Sequence, residues 1–145
     1  MKKPLLLVLS FTLLSTLALS GWLWFNLLSP WGYSPPPNLP PIEQTIEHRV
    51  FVYGTLKQPW IRRWVIGRSV ETHPAQLNDY QRHALDLQPQ SGEQVDGLTF
   101  IVTPAELQRL DRYERLGIRY QRVQKTLASG HQAWVYQLIH PPLTE

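Results

Sequence analysis

The 145-residue chain contains no cysteine, which excludes disulfides, cysteine nucleophiles and thiolate metal sites. It also lacks a strong excess of positive charge, because Lys2 and Lys3 supply two of its three net charges. The remaining 12 basic and 11 acidic residues are nearly balanced, so no nucleic-acid partner is expected. The histidines show no metal-ligand spacing, and no metal site is expected. They are His48, His73, His83, His131 and His140.

The chain has no Asp, Glu, Lys or Arg from position 4 to position 42, and residues 4–28 form a run of 25 predominantly apolar residues. A helix needs about 20 such residues to cross the hydrocarbon core of a bilayer. The run is long enough to do so with some tilt. Trp22, Trp24 and Trp31 lie at its far end, where aromatic rings favour the headgroup region. Residues 4–28 are therefore interpreted as a membrane anchor.

The charges around this run predict its orientation. Lys2 and Lys3 precede it and the next Lys or Arg is Arg49, so the N-terminus is expected in the cytoplasm and the following domain on the outer side. The alternative is a signal peptide cleaved at residues 18–20 (ALS), which would give a secreted protein. The bulky residues 22–25 (WLWF) after that position are awkward for processing.

Composition divides the rest of the chain. Residues 29–46 hold six of the 13 prolines and are interpreted as a semi-rigid, extended linker, because proline removes a hydrogen-bond donor and fixes φ. Residues 47–140 are long enough to bury one core and are interpreted as the folded domain. Residues 141–145 form a short tail. With the anchor in residues 1–28, the sequence predicts one domain held off a bilayer.

Alternation of apolar and polar residues predicts strands at residues 49–53, 94–102, 120–127 and 132–138, with a weaker pattern over residues 75–87. Helical periodicity is confined to residues 59–66 and 104–116. Because strands dominate and helices are few, the pattern favours an α+β domain or a small barrel with appended helices.

The second of these helices carries a carboxylate on its apolar face. Residues 103–106 (TPAE) form a capping-box sequence with proline at the first helical position, which predicts Thr103 as the N-cap. In that register Glu114 projects between Leu107 and Leu110. A carboxylate that faces a core is costly unless it is paired or hydrogen-bonded.

Two interpretations of Glu114 remain open. The first is a buried ion pair with Arg119 or Arg122 that locks the helix to the next strand. The second is a general acid/base whose pKa is raised by an apolar pocket. Asp111, at the edge of the apolar face, is expected to accept hydrogen bonds from an arginine or a backbone N–H.

A strand that stops at a glycine raises a second question. Residues 50–57 (VFVYGTLK) pass from a buried strand to Gly54, and a helix begins near Pro59. Gly54 either supplies a positive φ in a plain turn or opens a loop whose backbone N–H groups hold an anion, with the Thr55 hydroxyl beside it.

Taken together, these features resemble the gamma-glutamylcyclotransferase-like family, over about residues 49–138. The match rests on four segments in order rather than on one short motif. They correspond to the family's first strand and loop, central strand, catalytic helix with the strand after it, and last strand: residues 50–57 (VFVYGTLK), 95–102 (VDGLTFIV), 110–114 (LDRYE) with 120–122 (YQR), and 133–136 (AWVY).

The resemblance implies a small mixed β-barrel with a few packed helices. It also implies an intramolecular reaction of transferase or lyase type on a small γ-glutamyl substrate. The substrate's α-amine attacks its own γ-carbonyl, which gives 5-oxoproline and a free amine. The nucleophile belongs to the substrate, so the resemblance implies no cofactor and no metal.

The resemblance also implies roles for individual residues. Glu114 matches the catalytic proton carrier, while Tyr53, Gly54, Thr55 and Leu56 match the loop that holds the substrate's α-carboxylate. Asp111, Tyr120 and Arg122 are expected to support the site.

Two departures from the family pattern keep a second function open. The family often has glycine directly after the catalytic glutamate, where this chain has Arg115. The anchor is also unusual and would separate the domain from cytoplasmic substrates. The alternative to the enzyme is a binding module that keeps the pocket without turnover.

Overall fold

The computed structural model describes residues 2–27, 29 and 32–140, and the chain divides into two compact units, residues 1–34 and 35–145. In the first unit, α1 (Lys2–Leu27) is one continuous helix. Its segment Pro4–Asn26 is long and apolar enough to cross a membrane. The predicted N-terminal apolar helix is therefore confirmed as a helix. Leu28 and Trp31 of the predicted anchor and linker, and the tail at residues 141–145, lie outside the described residues.

The described part of the second unit contains five strands, two α-helices and a 3₁₀ turn. In chain order they are β1 (His48–Val52), the turn Thr55–Lys57, α2 (Pro59–Ile66), β2 (His73–His83), β3 (Asp86–Val102), α3 (Pro104–Tyr113), β4 (Tyr120–Thr126) and β5 (Gln132–Leu138).

One mixed sheet joins all five strands in the order β2-β3-β1-β5-β4. β1 runs antiparallel to β3 and parallel to β5, and the two outer pairs are antiparallel. The α+β class is confirmed, but the predicted barrel is a curled half-barrel, because β2 and β4 remain its edges within the described residues. Alternation along a strand predicts which face is buried but not its partners, so the sequence did not distinguish an open sheet from a closed one.

The weak pattern at residues 75–87 is two strands rather than one. A two-residue turn, Ala84-Leu85, joins β2 to β3, and Ala84 has φ 53°. Neither residue is the glycine or asparagine that usually marks such a hairpin, so the turn gave no sequence signal. β3 consequently starts at Asp86 rather than at the expected residue 94. The other expected strand and helix ends lie within two residues, except that α3 ends at Tyr113.

The two faces of the sheet are both covered. Phe51 of β1 and Tyr53, just after β1, belong to a buried cluster on one face, while Val52 between them is also buried. α3 packs on β3 and on α2, and their buried apolar residues complete the core. The cluster on the first face consists of Phe51, Tyr53, Leu77, Leu87, Val95, Leu127, Ala133 and Val135. The buried apolar residues of the two helices are Val65, Ile66, Leu107 and Leu110.

A buried arginine, Arg122 of β4, connects these layers. Its Nε lies 3.0 Å from Asp111 Oδ1 on α3, and its guanidinium stacks 4.5 Å from the Trp134 ring centroid. The Tyr136 hydroxyl of β5 donates to the same Asp111 oxygen at 2.5 Å. The Tyr53 hydroxyl, next to β1, donates to the Tyr136 carbonyl at 2.7 Å. We call Arg122, Asp111, Tyr136 and Tyr53 the Arg122 network.

Part of the proline-rich segment also reaches this network. Residues 35–46 contain no helix or strand, yet they belong to the second unit. Arg122 Nη2 donates to the Pro40 carbonyl at 2.7 Å, and His48 Nε2 lies 2.8 Å from the Glu43 carbonyl. These contacts place residues 35–46 against the domain, where the sequence led us to expect a linker standing apart from the core.

Replacing Arg122 by methionine should destabilise the domain by about 3–5 kcal/mol, because Asp111 would stay buried without its charge partner. Arg68→Met is the matched control, since Arg68 pairs with Glu106 but is half exposed, and it should cost far less. Urea unfolding of the full chain in detergent micelles measures both changes. Equal losses would show that the Arg122 network does not carry this stability.

Candidate active site

Glu114 caps the C-terminus of α3 and is only partly exposed. Among the described residues, its carboxylate has no hydrogen bond and no ion pair. Burial raises the Glu114 pKa to about 7, against the opposing charge of Arg119. The expectation of an ion pair with Arg119 or Arg122 is wrong, because Arg122 pairs with Asp111 and Arg119 stacks on the Tyr120 ring.

The helix that carries Glu114 is fixed at both ends. Thr103 is the N-cap, its hydroxyl accepts from the Glu106 N–H, and Glu106 accepts from the Thr103 N–H at 2.9 Å, which confirms the capping box. Asp111, one turn before Glu114, is held by Arg122, as expected for a structural role. After Glu114 the chain turns away through Arg115, which has φ 52°. Arg115 thus adopts the left-handed conformation that glycine favours.

Tyrosines surround the carboxylate. Burial raises the pKa of Tyr53 and of Tyr120, and the charge of Glu114 adds to both shifts. Both phenols therefore stay protonated near neutral pH and can donate hydrogen bonds. Tyr53 already donates to a backbone carbonyl, whereas the Tyr120 hydroxyl makes no hydrogen bond within the described residues. Tyr120 is thus the phenol that remains available to a ligand.

The loop after β1 exposes backbone donors. In the 3₁₀ turn, Lys57 N–H donates to the Gly54 carbonyl and Gln58 N–H to the Thr55 carbonyl. Within the described chain, the N–H groups of Thr55 and Leu56 have no acceptor. Adjacent free N–H groups at the start of a turn attract anions. The Thr55 hydroxyl lies 3.4 Å from the Tyr113 hydroxyl of α3, so the loop approaches the helix that carries Glu114.

Arg62 of α2 holds the other side of this turn. It is buried, and its Nη1 donates to the carbonyls of Leu56 and Lys57 at 2.9 and 3.1 Å. The sequence did not single out Arg62, because two consecutive arginines on a short helix are typical of exposed cations. Its place on the buried face, one turn before Ile66, is the signal that could have found it.

Gly54 does not have the left-handed backbone that glycine adopts more readily than other residues. Its φ is −111°, so the expectation of a positive-φ turn is wrong. A Cβ built on Gly54 would meet only Leu85 Cδ2, at the ordinary contact distance of 3.8 Å. The space beside the Gly54 α-carbon is therefore open to a ligand.

The β2–β3 turn adds residues that sequence reasoning did not select. Arg82 donates to the Tyr53 carbonyl at 2.7 Å and so supports the start of the loop. Asp86 is buried, and His140 Nε2 lies 2.7 Å from its Oδ2. The charge of Asp86 contributes to the raised pKa of Tyr53 and Tyr120, so it faces the same region. Because the turn was not recognised from sequence, neither residue could be assigned to the site.

The residues selected from sequence therefore separate into two groups. Glu114, Tyr120 and the loop of Tyr53, Gly54, Thr55 and Leu56 are brought to one region by the contacts and charges described above. Asp111 and Arg122 pack behind it in the Arg122 network. In the part of the chain that the structure describes, no three His, Asp or Glu side chains are arranged to hold a metal ion.

Comparisons with known proteins agree with this architecture. The sequence profile of the family described as "Gamma-glutamyl cyclotransferase, AIG2-like" matches residues 50–144. A solution structure of an Arabidopsis thaliana protein is 26% identical, with a TM-score of 0.57, over 69% of this chain and 75% of that one. A structure titled "Gamma-glutamyl cyclotransferase" shares the fold at 14% identity and a TM-score of 0.55, over 66% and 68% of the two chains. None of the curated proteins compared with the chain matches it.

The raised pKa of Glu114 predicts a pH-dependent loss of stability. Unfolding releases a proton from Glu114 between its ordinary pKa of 4.5 and its folded pKa of about 7, so stability falls as pH rises through this window. Wild type should lose up to about 3 kcal/mol relative to Glu114→Gln between these pH values. Urea unfolding at pH 4.5, 6 and 8 measures the difference. Glu93→Gln, at an exposed site, should follow wild type; a parallel curve for Glu114→Gln would contradict the shift.

Proposed function

The chain belongs to the gamma-glutamyl cyclotransferase, AIG2-like family, and on that basis we propose that it converts a small γ-glutamyl substrate into 5-oxoproline and a free amine. The observation that carries this proposal is the unpaired Glu114 carboxylate, whose pKa burial raises to about 7. A base that must take a proton from an amine at neutral pH works best with a pKa near that pH.

The reaction needs one proton carrier. The substrate's α-amino nitrogen attacks the γ-carbonyl carbon and forms the new C–N bond of a five-membered ring. Glu114 takes a proton from the attacking nitrogen and then gives it to the departing nitrogen as the original γ-amide C–N bond breaks. Because both reacting groups belong to one molecule, holding it folded supplies much of the rate enhancement. Glu114 is ionised at the start and at the end of the cycle.

The loop beside Glu114 supplies the binding group that this folding requires. The free N–H groups of Thr55 and Leu56 are suited to the substrate's α-carboxylate, and the open space at Gly54 lets the carboxylate approach them. Arg62 keeps the turn in this shape from the opposite side. The Tyr120 phenol, which is protonated and whose hydroxyl makes no hydrogen bond in the described structure, is suited to donate to the substrate. Tyr53 supports the loop through the Arg122 network.

The proposal extends to location. We assign α1 as a membrane span because Pro4–Asn26 is long and apolar enough to cross a membrane. We place Lys2 and Lys3 on the cytoplasmic side and the domain on the outer side, since cytoplasmic flanks carry the excess of Lys and Arg. The enzyme would then act on γ-glutamyl compounds outside the cytoplasm. Cleavage of the segment as a signal would leave the same domain in the same compartment without an anchor.

The full chain in detergent micelles, incubated with γ-glutamyl peptides and γ-glutamylamines, should release 5-oxoproline. Glu114→Gln should abolish release, and Glu93→Gln should retain it. The kcat/KM of wild type should rise as pH increases through about 7, because only ionised Glu114 accepts the amine proton. Mass spectrometry of the products measures release.

Two outcomes would contradict the proposal in different ways. Equal activity of Glu114→Gln and wild type would remove Glu114 from the mechanism. Substrate binding by calorimetry without any 5-oxoproline would identify the chain as a binding module of the same fold.

A second experiment tests the anion-binding loop. Gly54→Ala should fold with near-wild-type stability, because the added Cβ meets only Leu85. It should still weaken kcat/KM, because the Cβ would occupy the approach to the Thr55 and Leu56 N–H groups. Removing the substrate's α-carboxylate should cost about 1.5–3 kcal/mol, the worth of a charge-assisted hydrogen bond.

The two changes should not add, since both remove the same contact. Kinetics of wild type and Gly54→Ala, each with and without the α-carboxylate on the substrate, complete the cycle. Additive losses would place the α-carboxylate elsewhere.

A further inference from the structure

Helix α2 presents two tryptophans to solvent. Trp60 is 69% exposed and Trp64 is 44% exposed. They lie four residues apart and so share one face of the helix, with the exposed Arg63 beside them. The opposite face is buried through Val65 and Ile66. Large aromatic side chains clustered at a surface indicate that the surface binds a partner.

The sequence around these tryptophans carries charge of one sign. No Asp or Glu occurs from Val50 to Val70, a stretch with four basic residues. Arg62 is committed to backbone carbonyls and Arg68 to Glu106. Lys57 and Arg63 form no ion pair within the described residues. We call Lys57, Trp60, Arg63 and Trp64 the α2 face.

We propose that the α2 face docks on the headgroup layer of a membrane and prefers anionic lipid. Tryptophan rings favour the interface between hydrocarbon and water. A helix with aromatic residues and cations on its free face suits binding in that plane. Unpaired cations gain further from an anionic leaflet. The inference rests on the proposed membrane span of α1, which puts a bilayer within reach.

The length of the connection supports this occupant over a soluble protein partner. Only residues 28–34 separate α1 from the second unit. A fully extended chain of that length spans at most about 25 Å. The tether therefore holds the domain at a high effective concentration near the bilayer, where weak docking is enough to populate the bound state.

Docking would orient the candidate active site. The α2 face begins at Lys57, directly after the substrate loop, and Arg62 of the same helix holds that loop. A helix resting on headgroups would therefore keep the Thr55 and Leu56 N–H groups close to the membrane surface, where substrate would enter.

The cysteine-free chain allows a direct test. Gln58→Cys, at the exposed start of α2, carries an environment-sensitive fluorophore, and Ser91→Cys, exposed on β3, is the control label. The full chain is placed in lipid nanodiscs of phosphatidylcholine, with or without phosphatidylglycerol, and probed with a water-soluble quencher. The label at residue 58 should be protected and the label at residue 91 should not. The two unpaired cations make docking about 30-fold more favourable on anionic discs, an advantage that high salt removes.

Substitution of the tryptophans completes the test. The double variant Trp60→Ala, Trp64→Ala should make the label at residue 58 accessible to the quencher. The control Ile139→Ala, which removes another exposed apolar side chain, should leave it protected. Circular dichroism checks that both variants fold. A wild-type label at residue 58 that is quenched equally in discs and in micelles overturns the proposal, as does protection that appears only when a soluble protein is added.

Retention of the chain in membranes after an alkaline wash reports the α1 span separately. If the chain is retained but the label at residue 58 is accessible to the quencher, the membrane span is supported and the docking is refuted. If the wash removes the chain but the label was protected at neutral pH, the span is refuted and the docking is supported.

Discussion

The charge of Arg122, buried inside the domain, is the constraint on which the rest of the second unit depends. A guanidinium without solvent must be compensated, and Asp111, the Pro40 carbonyl and the Trp134 ring surround it. These groups come from a helix, a strand and the proline-rich segment. The contacts that compensate the buried charge therefore also fix the position of α3 on the sheet. Glu114, one turn beyond Asp111, is placed as a consequence, and within the described residues no hydrogen bond or ion pair of its carboxylate holds it there.

The domain thus treats two carboxylates, Asp111 on α3 and Glu114 at its C-cap, in opposite ways. Asp111 has two partners, the Tyr136 hydroxyl and Arg122, and although burial raises its pKa, both partners oppose that shift. Glu114 has none within the described residues, and its pKa rises to about 7. An unpaired carboxylate is a cost to folding that a structural residue would not retain. The cost is explained if the carboxylate exchanges protons with a ligand.

Much of the fold and of the candidate site could be predicted from the sequence, and particular residues show why. The capping box at Thr103 fixed the register of α3, and that register alone placed Glu114 among leucines. The Ala84-Leu85 turn was not predictable, because neither residue is typical of a two-residue hairpin turn. Asp86 and Arg82, on either side of the turn, could therefore not be assigned to the site. The contact of Arg122 with the Pro40 carbonyl joins segments that are distant in the sequence. Periodicity along one segment does not encode such contacts.

The parallel pairing of β1 with β5 has a consequence for how the chain becomes folded. It joins Val50 to Trp134, residues 84 positions apart (134 − 50), and β1 lies at the centre of the sheet. Contacts of such long range form slowly, because the intervening chain must first be ordered. During synthesis one edge of β1 stays unpaired until almost the whole chain has emerged, and that edge is the apolar sequence VFVY. A chain truncated before β5 would present this edge to its neighbours, so aggregation is the expected fate of an incomplete product.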